Sequence, residues 1–86
     1  MMQIFKFFKY NDRGERWVAC SLHWFSLNQI KEFIEKYEKN TDPEKLMICE
    51  YENTKLVAKC KATKILNLDL TNLPQSISLI DLNLNN

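Results

Sequence analysis

Residues 26–40 read SLNQIKEFIEKYEKN, and this stretch decides the fold class. Leu27, Ile30, Phe33, Ile34 and Tyr37 recur at helical spacing and form one apolar stripe, the pattern of an amphipathic helix with a surface to cover. Ser26 followed by Gln29 is a capping box, and Phe25 and Ile30 stand at the two positions of a hydrophobic staple. Glu32 precedes Lys36 by four residues and Glu35 precedes Lys39 likewise, the charge order that supports an exposed helical face. Asn40 can end the run and Pro43 prevents its continuation, so the spacing predicts a helix over 27–39.

Upstream, residues 3–22 read as a hairpin. Gln3 to Tyr10 is rich in Phe and Ile, Arg16 to Leu22 carries Trp17, Val18 and Cys20, and Asn11-Asp12-Arg13-Gly14 lies between them. Asn starts a turn by bonding its own backbone, and Gly14, the only glycine of the chain, suits the left-handed position that closes such a loop. Downstream, residues 45–65 read as a central hairpin with Asn53-Thr54 near its turn. Its alternation puts Met47, Cys49, Tyr51, Leu56, Ala58, Cys60 and Ala62 on a helix-facing side. Glu50, Val57, Lys59 and Lys61, mixed with Ile48, then face water.

The stretch 66–86 is Leu- and Asn-rich. LNLDLTN at 66–72 and IDLNLNN at 80–86 each alternate with a period of two and read as half-buried strands. Two copies offset by fourteen residues are too few and too short for a leucine-rich repeat array. The expected architecture is therefore one α+β domain over 1–86, a small antiparallel sheet of hairpins with one helix packed on a face, in the order ββαββββ.

Composition narrows the function. The chain has 86 residues, 45% apolar and 27% charged, with a net charge of +1. One Gly rules out glycine-rich phosphate loops, and one His removes most catalytic triads and zinc sites. No apolar run approaches the roughly 20 residues that cross a bilayer, and the N-terminus lacks the pattern of a secretory signal. A cytoplasmic setting is expected, with Cys20, Cys49 and Cys60 as free thiols.

Cys20, His23, Cys49 and Cys60 are numerically a zinc set. Cys49 and Cys60 fall on the side expected to be core, where reduced cysteine behaves as a small hydrophobe. No metal, cofactor or catalytic residue is therefore expected, and the protein reads as a non-enzyme.

Two binding readings remain. The first is a protein-binding module that inhibits or tethers a larger partner. Small stand-alone proteins of this kind are often phage or mobile-element inhibitors of a host nuclease, the anti-CRISPR type. The second is a single-stranded nucleic-acid binder. Seven of the ten aromatic residues fall within the first 25 positions and interleave with Lys6, Lys9, Arg13 and Arg16, the chemistry of a stacking platform in a basic groove. Lys59 and Lys61 belong to a second basic stripe. The surface residues expected to bind a partner are Lys6, Lys9, Arg13, Arg16, Trp17, Trp24, Lys59 and Lys61. Exposed strand edges also leave room for a homodimer.

Overall fold

A computed structural model describes residues 2–11, 13 and 17–84, with Trp17 through its backbone alone. Gly14 and the turn expected to use it lie outside the described residues, as do Arg16 and the last two positions of the expected C-terminal strand. Strands β1 (Gln3–Tyr10), β2 (Trp17–Ala19), β3 (Leu46–Glu52) and β4 (Lys55–Lys61) form one antiparallel sheet in the order β2-β1-β3-β4. Helix α1 (Leu27–Tyr37) joins the two hairpins. The small α+β architecture is as expected, with the helix packed on one face of the sheet.

Local chemistry explains the ends of α1. The Ser26 hydroxyl accepts from the Gln29 N–H at 3.2 Å, and the Gln29 side chain returns the bond to the Phe25 N–H at 3.1 Å, one residue before the cap. Phe25 itself is 58% exposed, with its ring edge-on to His23, so it does not form the buried staple expected over Ile30. The helix stops two residues short of the expected Lys39. Glu38 leaves helical geometry, and its carboxylate accepts from Lys9 Nζ and Thr41 Oγ1, both at 3.0 Å. Neither expected Glu–Lys pair forms an ion pair, whereas Lys9 pairs with Glu38 and Lys61 with Glu44.

Strand β2 is shorter than the expected 16–22. After Ala19 only the Cys20 N–H still bonds Phe7, and the chain then bulges outward before Trp24 exchanges two backbone bonds with Phe5. The central hairpin turns at Asn53 and Thr54, both left-handed with φ of 52° and 72°, as a two-residue turn matched to strand twist requires.

The phase of β3 is opposite to that expected. Phe5 pairs with Glu50 and Phe7 with Ile48, while Ile48 pairs with Cys60 and Glu50 with Ala58. Directly paired residues share a face, so Ile48, Glu50, Ala58 and Cys60 lie under the helix, and Cys49 points away from it. The β3–β4 register shifts between Glu50 and Tyr51, leaving Val57 as the extra residue of a bulge. This slip restores Leu56 to the face of Tyr51 and hides the phase error from simple alternation.

The C-terminal strands do not form among the described residues. Residues expected to end β4 instead make a short helix, α2 (Ala62–Leu66), and the chain then continues in turns. The polar residues between the leucines bond the nearby backbone: Asp69 accepts from the Thr71 N–H and hydroxyl, Asp81 from the Ser78 N–H, and Ser78 from the Ile80 N–H. Such side chains compete with a sheet ladder. The leucines still reach the core: Leu70 and Leu79 are buried and Leu66, Leu68, Leu73, Leu82 and Leu84 pack against it, while Ile80, the start of the second alternating run, is 53% exposed.

The core thus joins Phe5, Phe7, Leu46, Ile48, Ala58 and Cys60 of the sheet to Leu27, Ile30 and Ile34 of α1, with α2 and the turns closing the rim. One carboxylate lies inside it. Glu50, 2% exposed, accepts from Gln3 Nε2 at 3.0 Å, Ser78 Oγ at 2.9 Å and the Leu79 N–H at 2.8 Å. This bond set ties the C-terminal turns to the central strand.

Candidate functional site

Because α1, α2 and the C-terminal turns all cover the face of Phe5, Phe7 and Ile48, they leave the other face of the sheet uncovered; there Ile4, Phe8, Tyr10, Met47 and Tyr51 are half-buried, Leu56 is exposed and Cys49 is buried. The pairing register arranges it in rows across the strands. One row runs Ala19, Phe8, Met47, Lys61; the next runs Lys6, Cys49, Lys59; a third runs Ile4, Tyr51, Leu56. Tyr10 extends the Phe8 side along β1, opposite the Trp17 backbone. None of the apolar side chains in these rows belongs to the core cluster or packs against it.

The electrostatics of this face follow from alternation. At its described strand positions every charged residue is a lysine: Lys6, Lys59 and Lys61. Lys61 stands 3.9 Å from Glu44, on the short turn helix Pro43–Lys45, while Lys6 and Lys59 flank Cys49 in the middle row. Burial pushes the Cys49 thiol up from its ordinary pKa, and the Lys59 ammonium partly offsets this. Burial, reinforced by Cys49, also pushes Tyr51 up. The face therefore presents neutral aromatic rings beside ammonium groups, with a protonated thiol between them at neutral pH.

The other sequence-predicted residues are scattered. Lys9 lies on the helix side, its ammonium 3.0 Å from the Glu38 carboxylate. Trp24 is a packing residue, its ring 5.4 Å from Phe7 and 4.7 Å from Phe33. Arg13 is exposed in the β1–β2 connection, Arg16 lies outside the described residues, and Trp17 contributes backbone pairing to β1. A shallow groove of about 440 Å³ runs along the β2 edge past Val18 and Cys20. Its charged lining groups, Lys9 and Glu38, are paired with each other.

Cys49 and Cys60 occupy opposite faces of the sheet, which corrects the expectation that they share one. Burial pushes the Cys60 thiol up to about 11, with Cys49 adding to the rise and Lys64 opposing it. Thiols so held are poor nucleophiles and poor metal ligands. Among the described residues no three His, Cys, Asp or Glu side chains group as a metal site, and no helix is long and apolar enough to cross a membrane.

Sequence reasoning put Met47, Tyr51 and Leu56 on one face but turned that face toward the helix, and it did not join Ile4 and Phe8 to them. The signal was present but two-valued: in β1 both Phe5/Phe7/Lys9 and Ile4/Lys6/Phe8 mix apolar residues with lysine, so alternation alone does not choose the covered face. The fold and site together define a small antiparallel-sheet protein with a one-sided helical cover and an open aromatic–lysine face. No family model, no curated protein and no solved structure significantly matches the chain.

Proposed function

We propose that this protein binds single-stranded nucleic acid, without catalysis, on the open face of its sheet. The observation that carries the reading is the middle row of Lys6 and Lys59 between a Phe8 row and a Tyr51 row, on a face whose charged strand residues are all lysine. Aromatic rings stack on bases at about 1–3 kcal/mol per base, and adjacent ammonium groups neutralise phosphates. A net charge of +1 supplies little long-range attraction, so affinity rests on this local arrangement. The reading assigns the protein to a cytoplasmic, reducing setting, where its three cysteines remain thiols.

The test is fluorescence anisotropy of a labelled dT12 or rU12 at two salt concentrations. Lys6 and Lys59 predict a slope of log K against log salt of about −1.4 for a single strand. Replacing both Lys6 and Lys59 by Glu should abolish binding while leaving the fold intact. Absence of binding at low salt overturns the reading. The alternative is then a protein-binding inhibitor or adaptor, of phage or anti-CRISPR type, for which exposed Leu22 and Phe25 offer apolar contact area.

A further inference from the structure

The nucleic-acid reading says that the open face is used; the row order says how a strand would lie on it, and the inference below rests on that reading. Phe8 and Ile4 are four residues apart along β1, and Ile4 pairs with Tyr51. At about 3.4 Å per strand residue, the Phe8 and Tyr51 rows are separated by about 14 Å. The lysine row lies midway, about 7 Å from each. Lys6 and Lys59 are separated by β3, which places them two strand spacings apart, about 10 Å.

These spacings do not suit a stacked ligand. Stacked bases repeat every ~3.4 Å, so two neighbouring bases in a stack cannot reach both aromatic rows. A strand stretched to about twice that repeat crosses the span in two steps, which is three nucleotides. We infer that the face takes an unstacked trinucleotide: its outer bases stack on the Phe8–Tyr10 and Tyr51 sites, and the backbone around the middle nucleotide crosses the Lys6–Lys59 row. The middle base has no aromatic partner in the lysine row. Duplexes are excluded, because their bases cannot splay apart onto two separate sites.

An NMR titration of the full ¹⁵N-labelled chain tests this with dT2, dT3 and dT4 and the corresponding rU series, which separates DNA from RNA as the source of the shared chemistry. The expected result in at least one series is a tenfold or greater fall in Kd from the dinucleotide to the trinucleotide, and less than threefold from there to the tetranucleotide. A trinucleotide with an abasic middle should bind within about threefold of the intact one, whereas an abasic end should lose tenfold or more. Phe8→Leu and Tyr51→Leu, which keep an apolar side chain at each site, should each lose a similar factor. If dT12 and rU12 bind but affinity grows evenly per nucleotide, or the middle base matters as much as the ends, the footprint is wrong and the nucleic-acid reading stands. If neither 12-mer binds, both are overturned.

Discussion

Replacing Glu50 by alanine removes an acceptor on which three donors from distant parts of the chain converge. The carboxylate is 2% exposed, and its partners are the Leu79 N–H, the Ser78 hydroxyl and the Gln3 amide at 2.8, 2.9 and 3.0 Å. The Leu79 N–H is buried, and Leu79 itself is 0% exposed, so this donor has no ready access to water. Leaving it unsatisfied costs about 1–3 kcal/mol. The two half-buried donors recover much of their bonding from solvent, and together they contribute about 1–2 kcal/mol more. Releasing a buried carboxylate from its desolvation returns part of this. The expected net loss is about 3 kcal/mol, a large fraction of the roughly 5–15 kcal/mol that holds a small domain folded.

Urea unfolding followed by Trp24, whose ring lies in the aromatic cluster with Phe7 and Phe33, reads this loss. Melting should fall by roughly 12–24 °C. Glu50→Gln keeps a carbonyl oxygen for Leu79 and should lose only about 1–2 kcal/mol. The Leu79 amide should lose its hydrogen-exchange protection in the alanine variant more than the β1 amides do, because the C-terminal turns detach first. A loss under about 1 kcal/mol for Glu50→Ala, or equal losses for Ala and Gln, would refute the role of this carboxylate as the tie between tail and sheet.

Three further outcomes are expected. Thr54 holds a β-branched side chain at φ 72°, a conformation that favours glycine, so Thr54→Gly should raise stability by about 0.5–1.5 kcal/mol in chemical denaturation; a destabilised variant would count against the turn assignment. Ser26→Ala removes the helix cap on the Gln29 N–H and should cost about 1 kcal/mol by the same assay. Burial raises the Cys60 thiol from its ordinary 9.0 to about 11 in the folded chain. Between those values the unfolded chain binds fewer protons, so stability is complete below about pH 9 and falls as pH rises toward 11, by roughly 2–3 kcal/mol. Cys60→Ala should flatten this slope in denaturation curves at pH 8 and 10.5; parallel profiles would exclude burial of the thiol as its source.

The capped start and covered face of the helix were legible, because capping and periodicity are local: Ser26, Gln29, Ile30 and Ile34 carry their reading within one or two turns. The hairpin at Asn53-Thr54 was legible for the same reason. The tail was not. Residues 66–72 and 80–86 alternate as strands would, but Asp69, Ser78 and Asp81 satisfy backbone groups locally, and the leucines find the core from turns. The candidate site was half legible. Lys6, Lys59 and Lys61 were identified as basic residues, whereas Lys9 and Trp24, adjacent to them in kind and position, went to an ion pair and to packing.

By itself, the sequence determined the α+β class, the capped start of the helix and the hairpin turning at Asn53-Thr54, since each follows from neighbours a few residues apart. Tertiary structure alone decided which face of the sheet is covered. In β1 the two faces are nearly equal in apolar content, so local periodicity does not separate them. The choice is made where Phe5 and Phe7 meet Ile48, Cys60 and the stripe of α1, and where Glu50 captures Leu79. That packing leaves Lys6, Phe8, Tyr51 and Lys59 together on the open side.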